Sequence, residues 1–230
     1  MKVKICGLRT EKDVETAIEA GVDALGFLVG QLHTSSDFIL PSTARRFVSQ
    51  LPVFVSPVLV THLTDPQEII ELIECTAITT VQLHGGTTVE ELALLKEYAG
   101  NDVKFITAIH IVDREGPSPV PGPYCPHTDA FLLDSLNTAE GRVGGTGRTH
   151  DWNMSAQLVK ESPRPVILAG GLCPENVQEA IRKVHPYAVD ANSRLKAPDG
   201  SLDLSRARAF VSLAKSALSP LPEFPENGKQ

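Results

Sequence analysis

Short runs of apolar residues recur along the chain, each closed by polar or glycine residues and followed by a stretch with apolar positions three to four apart. The runs are Val3-Lys4-Ile5, Ala24 to Leu28, Val53 to Val60, Ile78 to Leu83, Val103 to Ile109, Ala130 to Leu133, Val166 to Ala169 and Ala188-Val189. Near-continuous apolarity, without in/out alternation, is what strands buried on both faces require, so the pattern predicts parallel strands. The intervening stretches predict helices. One begins at Thr10-Glu11-Lys12-Asp13 and carries Val14, Ala17, Ile18 and Val22; another opens at Asp65-Pro66, with proline at the first helical position. Further starts fall at Thr87-Thr88-Val89-Glu90 and at Cys173-Pro174-Glu175-Asn176, and Asp203 to Leu218 is a last amphipathic segment. The Pro- and Gly-rich stretch from Gly116 to Pro126 stands where a fifth helix belongs. Strand–helix alternation repeated eight times predicts an α/β fold, a single (β/α)8 TIM barrel over 1–218, with 219–230 as a polar, Pro-rich and disordered tail. An open doubly wound sheet would need a glycine-rich dinucleotide turn after the first strand, and Cys6-Gly7-Leu8-Arg9 is not one.

Composition narrows the class without changing it. A chain of 230 residues with 42% hydrophobic and 21% charged residues has the material for one large core. The formal charge of −7 argues against nucleic acid as a partner, though it leaves room for a local anion site. No apolar run reaches the length of a membrane span, and the N-terminus lacks a signal-peptide core, so a cytoplasmic location with no membrane partner is expected. The cysteines Cys6, Cys75, Cys125 and Cys173 form no CxxC pair, which argues against a structural zinc knuckle or a disulfide framework.

In a barrel the chemistry lies at the C-terminal strand ends. Read in order, those positions hold Cys6, His33 and Asp37, His62, His84, His110, Asp134, Gly170-Gly171, and Asp190 with Asn192-Ser193. Gly144-Gly145-Thr146-Gly147 and Gly170-Gly171 follow the sixth and seventh strands, and glycine lets backbone N–H groups approach an anion closely. Together they predict a site for a small anionic, phosphorylated metabolite at Gly144, Gly145, Gly147, Gly170 and Gly171. His33, His62, His84 and His110 on neighbouring strand ends form an alternative set, three imidazoles with an open position suiting a divalent metal such as zinc.

Lys4-Ile5-Cys6-Gly7-Leu8, Asp23-Ala24-Leu25-Gly26-Phe27, Val81-Gln82-Leu83-His84-Gly85, Leu132-Leu133-Asp134, Gly144-Gly145-Thr146-Gly147 with Asp151-Trp152, and Leu168-Ala169-Gly170-Gly171-Leu172 with Pro174-Glu175-Asn176-Val177 form an ordered set of motifs. With this set the chain resembles the phosphoribosylanthranilate isomerase family. The resemblance implies a single barrel in tryptophan biosynthesis that uses no cofactor and converts an aminoaldose phosphate to an aminoketose phosphate by an Amadori rearrangement. Carried over residue by residue, Cys6 would be the general base and Asp134 the general acid, with His84, Asn192 and Ser193 among the substrate- and phosphate-binding residues. Cys6 would then need a nearby positive potential to become thiolate.

Two departures stand out. Where the family carries an arginine that grips the anthranilate carboxylate, this chain has Asp37, which would repel it; Arg45 or Arg46 could compensate. Where the family reads Val-Asp-Val-Ser-Ser-Gly-Val-Glu, the chain reads Val189-Asp190-Ala191-Asn192-Ser193-Arg194-Leu195-Lys196, with Arg194 either binding phosphate or blocking it. The expected alternative function is therefore a repurposed barrel, a metal-dependent lyase, hydrolase or isomerase acting on another anionic metabolite. Either form is expected to be a monomer or a homodimer.

Overall fold

In the computed structural model, residues 1–32, 35–111, 122–137, 142–143 and 151–217 are described. Eight parallel strands form a closed ring: β1 (Lys2–Cys6), β2 (Ala24–Leu28), β3 (Ser56–Thr61), β4 (Thr80–Leu83), β5 (Lys104–Ile111), β6 (Ala130–Asn137), β8 (Val166–Leu168) and β9 (Ala188–Ala191), which pairs back onto β1. A two-residue strand, β7 (Arg142–Val143), pairs antiparallel with the end of β6 and is not a stave of the barrel. Outside the ring lie α1 (Glu11–Ala20), α2 (Pro41–Val48), α3 (Pro66–Thr76), α4 (Val89–Ala99), α5 (Trp152–Glu161), α6 (Val177–Val184) and α7 (Leu204–Ser216). The (β/α)8 expectation therefore holds. Between β5 and β6 the described connection is a short 3-10 turn at Gly122–Tyr124, where the proline-rich stretch had left no helix to expect.

The continuous apolar runs resolve into two packed surfaces. Alternate residues such as Val3, Ile5, Leu25, Phe27, Leu59, Val81, Phe105, Phe131 and Val189 face the helices in the large core. The other set faces inward: Leu28, Val58, Val60, Ile106, Leu132, Ile167 and Ala188, with Ala24, Ala108 and Ala130 beside them, fills the barrel interior. Polar residues that continue this inward set, two positions further along a strand, are thereby delivered to the mouth.

Local chemistry fixes the helix starts. Thr10 and Thr88 each close a capping box, with Asp13 and Glu91 as the returning carboxylates. Asp65 caps α3 by accepting from the backbone N–H groups of Gln67 and Glu68. One boundary differs from the sequence pattern. The third run starts as strand at Ser56 rather than Val53, because a turn bonds Val55 N–H to Pro52 O (3.0 Å) and leaves Val53 and Phe54 outside the sheet, each 93% exposed. The tail at 219–230 lies outside the described residues.

Candidate active site

Strand register assembles the site. Lys4 pairs across the sheet with Asp190, Cys6 with Gly26, and His110 with Asp134. Since side chains alternate, Lys4 and Cys6 both project into the barrel, one layer apart. Cys6 lines a cavity of about 440 Å³ whose wall also includes Asp37, His62, His84, Asp134, Gly170, Gly171, Asp190, Asn192, Ser193, Arg194 and Lys196, and Lys4 lies beneath it. Cys6 and Asp134 thus face the same space, from β1 and β6.

Under Cys6 sits a buried ion pair. Lys4 Nζ lies 2.8 Å from Asp190 Oδ2, with the two side chains 5% and 7% exposed. Burial would lower the lysine, but Asp190 and the Cys6 sulfur hold its ammonium above the ordinary value. Burial pushes the Cys6 thiol up to about 11, against the opposing pull of Lys4. Lys4 is thus the positive potential the thiol requires, and the apolar setting of a strand interior gave no hint of it. Asp190 Oδ1 has no hydrogen-bond partner among the described residues and belongs to a cavity-lining side chain.

On the other wall Asp134 Oδ2 lies 3.4 Å from His84 Nε2, and Asp134 Oδ1 accepts from Ser135 N–H at 2.7 Å. Burial would raise this carboxyl, yet the His84 hydrogen bond and the charges of His84 and His110 keep it below the ordinary aspartate value. Gln82 Nε2 lies 3.2 Å from His84 Nδ1; donation there leaves Nε2 as the protonated nitrogen facing Asp134.

The histidines at the strand ends do converge. His62 packs edge-on against His84 (ring centroids 5.2 Å), and His84 against His110 (4.8 Å). His84, His110 and Asp134 each offer a ligand atom within 4.8 Å of the others. A zinc with bonds near 2.1 Å needs its ligands closer together than that spread. The ring atoms have other engagements as well: His110 Nε2 lies 3.2 Å from His84 O, and burial, with the His84 charge, lowers the His110 pKa. His33, the fourth candidate, lies outside the described residues.

The loop after β8 has the form of an anion cradle. Gly170 and Gly171 both have positive φ, 82° and 64°, a conformation in which glycine is favoured and successive N–H groups can turn to one side. Asn176 pins the loop, accepting from Cys173 N–H (2.8 Å) and donating to Gly171 O (3.0 Å). Asn192 and Ser193 follow β9 beside it, with Ser193 opening a 3-10 turn to Leu195. Arg194 Nη2 lies 3.7 Å from Cys173 Sγ, so this side chain leans toward the β8 loop. Gly144, Gly145 and Gly147 lie outside the described residues.

Asp37 is partnered within the mouth. Its Oδ1 is ion-paired with Lys196 Nζ, and its Oδ2 accepts from Asn192 Nδ2 at 3.0 Å. Lys196 also donates to Gly7 O at 3.0 Å. Arg45 and Arg46, the expected compensating cations, are used elsewhere: Arg45 donates to the carbonyls of Glu74 and Cys75 at the end of α3, and Arg46 pairs with Glu11. Sequence reading missed Lys196 because its partner is 159 positions away.

Comparison with known proteins bears on the family and the fold. Residues 3–213 match the family model described as N-(5'-phosphoribosyl)anthranilate (PRA) isomerase. N-(5'-phosphoribosyl)anthranilate isomerase 2 of Methanosarcina mazei is 44% identical over 218 residues, which cover 94% of this chain and 95% of that one. The crystal structure of phosphoribosyl anthranilate isomerase from Thermus thermophilus superposes with a TM-score of 0.78 at 30% identity, covering 94% of this chain and 99% of that one. A phosphoribosyl anthranilate isomerase in complex with reduced 1-(o-carboxyphenylamino)-1-deoxyribulose 5-phosphate matches with a TM-score of 0.73 at 29% identity, covering 94% and 98%. The chain belongs to the N-(5'-phosphoribosyl)anthranilate isomerase family.

Proposed function

We infer that this chain converts N-(5'-phosphoribosyl)anthranilate to its aminoketose isomer, a step of tryptophan biosynthesis, with Cys6 as general base and Asp134 as general acid. The observation that carries the reading is the pair itself: a thiol over a buried ammonium and a carboxyl against an imidazole, facing one cavity beside a glycine anion loop.

Asp134 gives a proton to the ribose ring oxygen as the C1'–O bond breaks, and the nitrogen lone pair forms the iminium of the Schiff base. Cys6 then takes the C2' proton; the C–H electrons become the C1'–C2' double bond and neutralise the nitrogen. The resulting enolamine regains a proton at C1' as its C2' hydroxyl loses one, leaving the ketone. In the resting site the protons are reversed, since Asp134 is held low and Cys6 high. Productive catalysis therefore uses the minority arrangement, thiolate with carboxylic acid. One group favours that arrangement during turnover: the iminium, once formed, stabilises the thiolate beside it. The second oxygen of Asp190 is an available acceptor for the iminium N–H.

These steps need no cofactor, and the phosphate suits the Gly170-Gly171 loop with Asn192 and Ser193, Gly144, Gly145 and Gly147 being proposed with them. The family match favours the isomerase over the metal-dependent alternative. A cytoplasmic setting belongs to this reading and agrees with the thiol state of Cys6, Cys75 and Cys173; no helix among the described residues is long and apolar enough to cross a membrane. The test is turnover of N-(5'-phosphoribosyl)anthranilate by chelator-treated protein. Activity should persist in the wild type and fall roughly 10³-fold or more in Cys6→Ala and in Asp134→Asn. A wild type inactive after chelation, or a Cys6→Ala variant at full rate, would sink the assignment.

A further inference from the structure

The substrate of the proposed reaction carries two anions at opposite ends, a phosphate and an arenecarboxylate. Among the described residues the cavity wall carries two cations, Arg194 and Lys196, while Lys4, outside that lining, is paired with Asp190. The two cations lean in different directions. Arg194 reaches toward Cys173 in the loop after β8, beside Gly170-Gly171. Lys196 reaches the other way around the ring, to Gly7 O after β1 and to Asp37 in the loop after β2. Strand order puts β9, from which both follow, between β8 and β1.

We propose that Lys196 is the specificity-determining residue that receives the substrate carboxylate, with Asp37 holding its ammonium in place. This rests on the isomerase reading above. Position 37 is acidic and position 196 is basic, so on this side of the mouth the cation comes from the segment after β9. Lys196 is well placed for the task. Its side chain is 11% exposed, and among the described residues its hydrogen bonds go to Asp37 and Gly7 O, which leaves its third N–H for a ligand. Asp37 has both oxygens occupied, by Lys196 and Asn192, and so presents little free acceptor to repel an incoming anion.

The experiment compares two probes on folded variants checked by thermal unfolding. One is reduced 1-(o-carboxyphenylamino)-1-deoxyribulose 5-phosphate; the other is the same compound without the carboxyl group. Lys196→Met should weaken the carboxylated probe about tenfold or more and leave the other within about twofold, while Lys196→Arg retains the preference. Equal weakening of both probes would make Lys196 a structural strut, and no weakening would make it irrelevant; either outcome overturns the proposal. A wild type that binds neither probe and turns over no substrate overturns the isomerase reading itself, a result distinct from both.

Discussion

At the residue scale, what matters is the direction in which burial and charge move two protons. Cys6 is pushed up to about 11, and Asp134 is held below its ordinary value of 3.8. The productive form, thiolate with carboxylic acid, carries the same number of protons as the resting form. Its population is therefore constant with pH between the two pKa values and falls only outside them. We expect no rise in kcat/KM across pH 8 to 10 with a midpoint near 9, the ordinary thiol value; such a rise in a pH–rate profile would show that the thiol is not pushed up in the free enzyme. Lys4 opposes that push. Removing it alone would strand Asp190 in the floor, at a cost of about 3–5 kcal/mol. The cleaner variant is Lys4→Met with Asp190→Asn, which should move the alkylation profile of Cys6 to higher pH and lower kcat by about 10²-fold. Gly26 sets the space the thiol occupies: a Cβ there would come within 2.6 Å of Cys6 Sγ and 3.1 Å of its Cα. Gly26→Ala should fold with a loss of about 1–3 kcal/mol in chemical denaturation, and should lower kcat more than it raises KM.

At the element scale, the strands carry the chemistry and the caps hold the strands in place. Asp13 shows how. It returns the capping box of α1 by accepting from the N–H groups of Arg9 and Thr10, and its other oxygen accepts from Leu202 N–H at 2.8 Å, ahead of α7. One carboxylate thus ties the start of the first helix to the approach of the last, near the seam where β9 meets β1. Burial would raise its pKa, but these backbone donors hold it below 3.8. Its stabilisation is therefore full above that unfolded value and is lost as pH falls through the lower folded value. Asp13→Ala should lose about 2–3 kcal/mol in urea unfolding at pH 7, and the deficit relative to wild type should shrink in acid. An undiminished deficit at low pH would point to packing and away from the carboxylate.

At the scale of the whole molecule, closure of the ring depends on the last helix. α7 buries Ala207, Phe210, Val211 and Ala214, and it is bound across the seam by Arg208 to Glu19 and by Lys215 to Gly21 O. A chain ended at 203 should show no cooperative unfolding, whereas we propose that one lacking 219–230 melts within about 2 °C of the full chain, with its turnover intact. The sequence by itself determined the repeat of strand and helix, the barrel class, and the polar strand ends where Cys6, His84 and Asp134 sit. Those features are local: a run of apolar residues must be buried, and the polar residue that ends it must emerge at a mouth. The capping boxes at Thr10 and Thr88 are local in the same way. Only the tertiary structure decided which charges meet. Lys4 looked like one polar interruption in a strand until register set it opposite Asp190. Val53 and Phe54 continued an apolar run until a turn put them outside the sheet. Asp37 looked like a lost arginine until closure of the ring brought Lys196 to it. Periodicity reports the environment of each residue along its own element, but an ion pair across 159 positions depends on how eight elements close, and no short stretch of chain contains that information.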